Sequence, residues 1–217
     1  VVAANSTGTG SARLSLAATS YGSSGQAIFA YGIQSGTSVN KSNKVSNTGG
    51  VSSDTSGVGT ARHELGASPF GGDKGIFAYG YSNVVHSNQN KSNIVANTGV
   101  IASDSSGVGT ARGGLAAAQF GDRCIFGYGA GGGPSNLVSN TGVVASDVSI
   151  VGTGRIGVAG APYGGTKGLF AFGANGTTYY AMSNLVSTSG VIASDTSAVS
   201  GVTIRAQVNG AGYSISA

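Results

Sequence analysis

Three aspartates stand eight residues ahead of three arginines in this chain: Asp54 before Arg62, Asp104 before Arg112 and Asp147 before Arg155. A carboxylate and a guanidinium at fixed spacing can hold an anionic ligand, or they can tie the chain to itself. Recurrence favours the second use, because a site employed once has no need of copies. The arginines are therefore expected to bridge loops or neighbouring units through their planar donors, with each aspartate capping the turn that follows it. A buried arginine stripped of its partner costs on the order of 3–5 kcal/mol, so these six positions should be sensitive to mutation without being catalytic.

The other chemistry-bearing side chains are few and scattered. His63 and His86 occupy unrelated places in the sequence, and Cys124 is the one cysteine, which argues against a metal centre and rules out an intrachain disulfide. Cys124 falls in an apolar run where a small buried filler fits better than a reactive thiol. A carboxylate pair for glycoside hydrolysis would have to come from Glu64, Asp73 and Asp122. Asp73-Lys74 and Asp122-Arg123 read instead as turn residues, and no G-x-S-x-G elbow has a strand–helix setting. The expectation is a protein that is not an enzyme and needs no metal or cofactor.

The elements that must position these residues come in copies. The arginine recurs at Arg13, Arg62, Arg112 and Arg155, with steps of 49, 50 and 43 residues. Ser-Asn pairs ending at Asn43, Asn93, Asn136 and Asn184 keep the same register, as do the apolar runs ending in Gly32, Gly80, Gly129 and Gly173. Such a period means a repeat architecture. Each copy reads as four short strands: one after the arginine, one of the Phe-Ala-Tyr-Gly type, and two from a hairpin turning at Asn-Thr-Gly, which the fourth copy varies to Thr188-Ser189-Gly190. The second strand is apolar on both faces while helices are missing, so sheets must stack on sheets.

The whole chain, residues 1–217, is expected to be a single all-β domain, a five-bladed β-propeller. Its repeats fall near 6–54, 55–104, 105–147 and 148–195, with a last blade built from 196–217 and 1–5 so that strands from both termini close the ring. Arg205 and the run Tyr213-Ser214-Ile215 are assigned to that blade. Four blades with a C-terminal extension is the alternative.

The pattern R-x-x-L-A-A-A-x-Y/F-G followed by I/L-F-x-Y/F-G and a hairpin resembles a kelch-type propeller repeat. Tyr31-Gly32, Tyr79-Gly80, Tyr128-Gly129 and Phe172-Gly173 take the place of the kelch glycine pair, and tryptophan is absent. The phrases GTARGGLAAAQFG, CIFGYG and SNLVSNTGVVASD in the third copy are similar to kelch-like arrays of bacteriophage tail-fibre and other virion surface structural proteins. That resemblance implies a virion structural module with other virion proteins as partners, forming a homo-oligomer within an assembly and contacting a host surface glycan or protein. A secreted or cell-surface lectin-like propeller, extracellular and not viral, is the alternative.

Composition narrows the partners further. Net charge is +4, yet much of the basic content is the repeated arginine, leaving no basic run for nucleic acid. No stretch of 18 apolar residues is present, which argues against membrane insertion by a helix. What differs among copies is the loop between the second strand and the Ser-Asn pair. Loops on a rigid scaffold tend to carry binding residues, so Gln34, Asn40, Tyr81, His86, Gln89, Asn90, Tyr179 and Tyr180 are the candidate contacts.

Overall fold

The computed structural model describes residues 9–198 and Gly210. The first copy contributes β1 (Ala17–Tyr21), β2 (Gln26–Ala30), the short pair β3 (Ile33–Gln34) and β4 (Thr37–Ser38), and β5 (Ser42–Val45). The second contributes β6 (Gly66–Phe70), β7 (Lys74–Ala78), β8 (Tyr81–Ser82), β9 (Ser87–Asn88) and β10 (Ser92–Val95). The third has β11 (Ala116–Phe120), β12 (Arg123–Gly127), a 3-10 turn at Ala130–Gly132 and β13 (Asn136–Val138). The fourth has β14 (Ala159–Tyr163), β15 (Lys167–Ala171), β16 (Ala174–Asn175), β17 (Thr178–Tyr179) and β18 (Ser183–Val186).

The protein is all-β, built among the described residues from small antiparallel sheets, none of them closed. Four three-stranded sheets run β1-β2-β5, β6-β7-β10, β11-β12-β13 and β14-β15-β18. The expected fourth strand of each unit is reduced to isolated bridges, such as Val45 to Val51 and Ser42 to Thr55 in the first copy. Residues 46–50 turn tightly enough for a hairpin, but the chain beyond them meets its neighbour only through these bridges and a few single hydrogen bonds, such as Ser52 N–H to the Lys44 carbonyl. Three units also carry a two-stranded ribbon, β3-β4, β8-β9 or β16-β17, between the second and third strands. These ribbons lie in stretches that the sequence suggests only as polar loops.

The sheets lie face against face, and among the described residues the apolar core is three layers. Between the first two sheets sit Ile28, Tyr31, Leu65, Phe77 and Val95. The second layer holds Phe70, Ile76, Tyr79, Cys124, Phe126 and Val138, and the third Phe120, Ile125, Tyr128, Phe170 and Val186. Burial of apolar surface at each junction is worth about 25 cal/mol per Å², and a lone three-stranded sheet has no second face to bury. The first strands of successive units approach each other most closely because their residues are small. A methyl placed on Gly160 would lie 2.1 Å from the Ala117 carbonyl oxygen.

The first sheet has an uncovered outer face among the described residues. Phe29 there is 38% exposed, whereas its equivalents Phe77, Phe126 and Phe170 are fully buried. It borders an open cavity of about 760 Å³ that Arg13, Leu16, Asn43 and Val51 also line. The terminal segments assigned to the fifth blade, 1–5 and most of 196–217, with Arg205 and Tyr213-Ser214-Ile215, lie outside the described residues.

Candidate functional site

Three of the repeated arginines are buried, Arg62, Arg112 and Arg155 exposing 0%, 0% and 1%, while Arg13 is half-buried. Each is held within its own unit. Arg62 donates to the Thr60 carbonyl at 3.1 Å and to Asn93 Oδ1 at 2.6 Å. Arg112 does the same with Thr110 and Asn136, Arg155 with Thr153 and Asn184. The asparagine amide then donates to the aspartate eleven residues on, Asn93 to Asp104 at 3.0 Å and Asn184 to Asp195 at 2.9 Å. That aspartate accepts from the backbone and hydroxyl of the threonine two residues before the arginine, with Thr60 Oγ1 to Asp104 at 2.7 Å.

The ion pairing therefore differs from the one that spacing suggests. Asp104 faces Arg62 at 3.7 Å, and Asp195 faces Arg155 at 3.7 Å, so the partners lie some forty residues apart and not eight. Asp54 likewise accepts from Ser11, Lys41 and Asn43, and the expected cap on the turn after it is not made. The physical reason is that a carboxylate aimed at two N–H and O–H donors at the start of its unit gains more than one satisfying a local turn. Each unit is thereby latched end to start. Asn43, Asn93, Asn136 and Asn184 are the central pieces of this latch; their register is visible in the sequence, but their bonding is not.

Electrostatics agrees with the geometry. Burial pulls the Arg62 and Arg112 guanidinium groups below their ordinary range, partly offset by Tyr31 with Asp104 and by Tyr79 with Asp147. Burial pushes the Asp104 and Asp147 carboxyls up, but hydrogen bonds from Thr60 and Asn93, and from Thr110 and Asn136, outweigh it and hold both below the usual carboxylate range. Asp54 is held lower still, first by the Ser11 hydroxyl.

The same arginines join neighbouring units. Arg62 stacks 4.3 Å over the Tyr31 ring, Arg112 4.1 Å over Tyr79, and Arg155 4.3 Å over Tyr128. Each tyrosine also meets a phenylalanine edge-on, Tyr31 with Phe77, Tyr79 with Phe126 and Tyr128 with Phe170, at 5.3–5.5 Å between centroids. Burial pushes the three phenols up to about 12, so they are neutral and leave the arginine charge to the ring face. These tyrosines sit at φ of 64–67°, and the glycines after them at 100–106°. The aromatic–glycine step is thus a pair of left-handed residues with a ring in the first position.

The eight candidate contact residues do not share one fate. Asn40 and Asn90 are equivalent, and their amides donate to the Gly59 and Gly109 carbonyls, which spends them on the next unit's entry loop. Gln89 is buried, its amide on Ser87. Tyr81 packs edge-on against His63. Gln34 and Tyr180 are half-buried, while His86 at the second ribbon's tip and Tyr179 on the fourth ribbon are exposed. The structure brings the first two ribbons together through Asn83, unread in the sequence: its backbone N–H donates to Ser38 Oγ and its Oδ1 accepts from the Ser38 N–H. His63 Nδ1 meets the same Ser38 hydroxyl at 2.9 Å.

Cys124 is fully buried and its thiol is pushed up to about 12 by burial, which makes it unreactive. Among the described residues, no three His, Cys, Asp or Glu side chains gather as a metal site would need, and no helix is long and apolar enough to cross a membrane. Fold and site together define an all-β repeat protein whose charged residues lock the repeats. Compared with known proteins, the chain matches no protein-family model and no curated protein.

Proposed function

We propose that the protein is a non-enzymatic structural module of a virion surface, of the tail-fibre type, that presents its ribbons to a host glycan or protein. The observation that carries this reading is the division of labour along each unit. The recurrent charged residues are consumed in latches and junctions, while the copies differ in the segment between second and third strands. The phrases shared with phage kelch-like arrays support the viral setting.

The same reading takes the array as a propeller of five blades. Gly210 supports it: it lies five residues after Arg205, as Gly160 lies five after Arg155. A methyl on Gly210 would lie 2.4 Å from the Gly160 carbonyl oxygen, much as one on Gly160 would meet Ala117. The test of function is to locate the chain in purified particles and to screen the isolated protein against a glycan array. Presence on the particle surface with glycan or receptor binding is the expected result. Binding without any association with particles favours the extracellular lectin-like alternative, and hydrolysis of a bound polysaccharide overturns the non-enzymatic reading.

A further inference from the structure

The second unit combines two departures from the repeat. Its ribbon segment, residues 81–91, is longer than that of the first unit, residues 33–41, and Asn83 within it reaches the first ribbon. The position after its arginine is His63, where the other units carry Leu14, Gly113 and Ile156. That position lies against the preceding unit's ribbon. A methyl placed on Gly113 would lie 3.5 Å from Asn88 Oδ1 of β9, and the His63 ring meets Ser38 of β4. The clasp between the first two ribbons therefore involves the one side chain in this register that can change its charge near neutral pH.

Ser38 is the shared member of that clasp. Its hydroxyl accepts from the Asn83 N–H at 3.2 Å and lies 2.9 Å from His63 Nδ1, while its own N–H donates to Asn83 Oδ1 at 2.7 Å. Ser38 and His63 are buried, exposing 3% and 8%. A neutral ring that accepts the hydroxyl proton at Nδ1 satisfies all three residues. An imidazolium carries a proton on Nδ1 and donates to the same oxygen. The hydroxyl proton is then left in a buried place without an acceptor, which costs at least as much as the hydrogen bond was worth.

We propose that this clasp is a pH-sensitive switch: protonation of His63 releases Ser38 from Asn83 and lets the first and second ribbons part. Its use, changing the surface that the ribbons present, rests on the reading of the ribbons as contact elements above. Burial holds the His63 ring below its ordinary value of 6.5, while Glu64 beside it acts the other way. The other charged groups around it are engaged elsewhere: Lys41 with Asp54, Lys91 with Thr60 and Asp104, and Arg62 with Thr60 and Asn93. Tyr81 meets the ring edge-on, and His86, exposed at the tip of the second ribbon, bonds to neither Ser38 nor Asn83. A base depressed in the clasped state leaves the clasp at full strength above about pH 6.5 and weakens it as pH falls below. The carboxylate latches hold down to about pH 4, so the ribbons part while the sheets stand.

Amide hydrogen exchange, followed by NMR on the full chain and expressed as protection relative to an unstructured peptide at each pH, reads the clasp with no ligand present. From about pH 7 to about pH 5, protection of the Ser38 and Asn83 amides is expected to fall about tenfold or more, with the strand amides of Ile76 and Ile125 unchanged. His63→Leu, the residue that the first unit has in this register, is expected to hold constant protection over that range, and His86→Asn to behave as the wild type. Constant protection in the wild type overturns the switch, as does a loss that persists in H63L or disappears in H86N. Where H63L fails to fold, the wild type and H86N decide. Because no ligand enters, a protein that binds neither glycan nor receptor leaves the switch standing and removes only its use.

Discussion

Tyr79 shows how single residues divide the load. Its left-handed backbone costs about 1–2 kcal/mol relative to glycine, yet its buried ring supports Arg112 and meets Phe126. Loss of a large buried aromatic side chain costs about 3–5 kcal/mol, so the ring outweighs the strain. Tyr79→Gly is expected to destabilise the fold by about 1–4 kcal/mol in denaturant melts despite relieving the backbone; a more stable variant would mean that the ring is not what holds the junction. The latch carboxylates give a second prediction. Asp54, Asp104, Asp147 and Asp195 all sit below the ordinary carboxyl value of 3.8. A depressed folded value means that the stability they add is fully present above the unfolded value and is lost as pH falls through the folded ones. Melting temperature should accordingly hold from neutrality to about pH 4 and drop below it, with Asp104→Asn already lowered at neutral pH and less sensitive to acid. The special role of Asp and Arg was legible from their repetition, but their partners were not. A hydrogen bond between residues some forty positions apart leaves no local trace, and the interposed asparagine looks like any other in a chain so rich in Asn, Ser and Thr.

At the scale of elements, the first and second strands were legible because their apolar runs recur in register and end in an aromatic–glycine step. The reduced fourth strand was not, since Val51, Val100 and Val143 look as β-prone as any paired valine; yet they are exposed at 44%, 59% and 66% and belong to segments that form isolated bridges and single hydrogen bonds, not a continuous ladder. The ribbons were also missed, being only two residues per strand and carried by Ser, Asn, Thr and Tyr, with no alternation long enough to read. The third unit nevertheless keeps its sheet and its core layer with no ribbon at all. Trimming the fourth ribbon, residues 174–179, to the short turn of the third unit should therefore change the melting temperature by only a few degrees. A collapse of the melt would mean that ribbons support the sheets.

For the whole molecule, stability is a sum over junctions that share one chemistry: a guanidinium on a phenol ring, a phenylalanine edge and a ladder of backbone bonds such as Gly32 N–H to the Arg62 carbonyl and Gly80 N–H to that of Arg112. Arrays of this type add units with nearly equal increments when open, whereas a closed ring fixes their number through the angle between blades. Excising residues 62–111 joins Ala61 to Arg112 and sets Tyr31 against Arg112 and Phe126 in place of Arg62 and Phe77, so every remaining junction has the same residue types. In a five-bladed ring that deletion should abolish the cooperative melt, while a cooperative melt with the same denaturant midpoint would identify an open row.

The latch from the last residues of a unit to its first has one more consequence. Because Asp104 grips Thr60 across the whole second copy, the chain between them is stapled non-covalently at its base while its ribbon tip, with Val84 and Val85 more than half exposed, is free to be cut. A protease that clips the tip leaves two pieces whose sheets, layers and stacked rings are all still in place, so a nicked molecule would travel as one particle and separate only in denaturant. On the surface of an assembly, where we propose that the protein sits, that would be tolerance to damage where damage is most frequent.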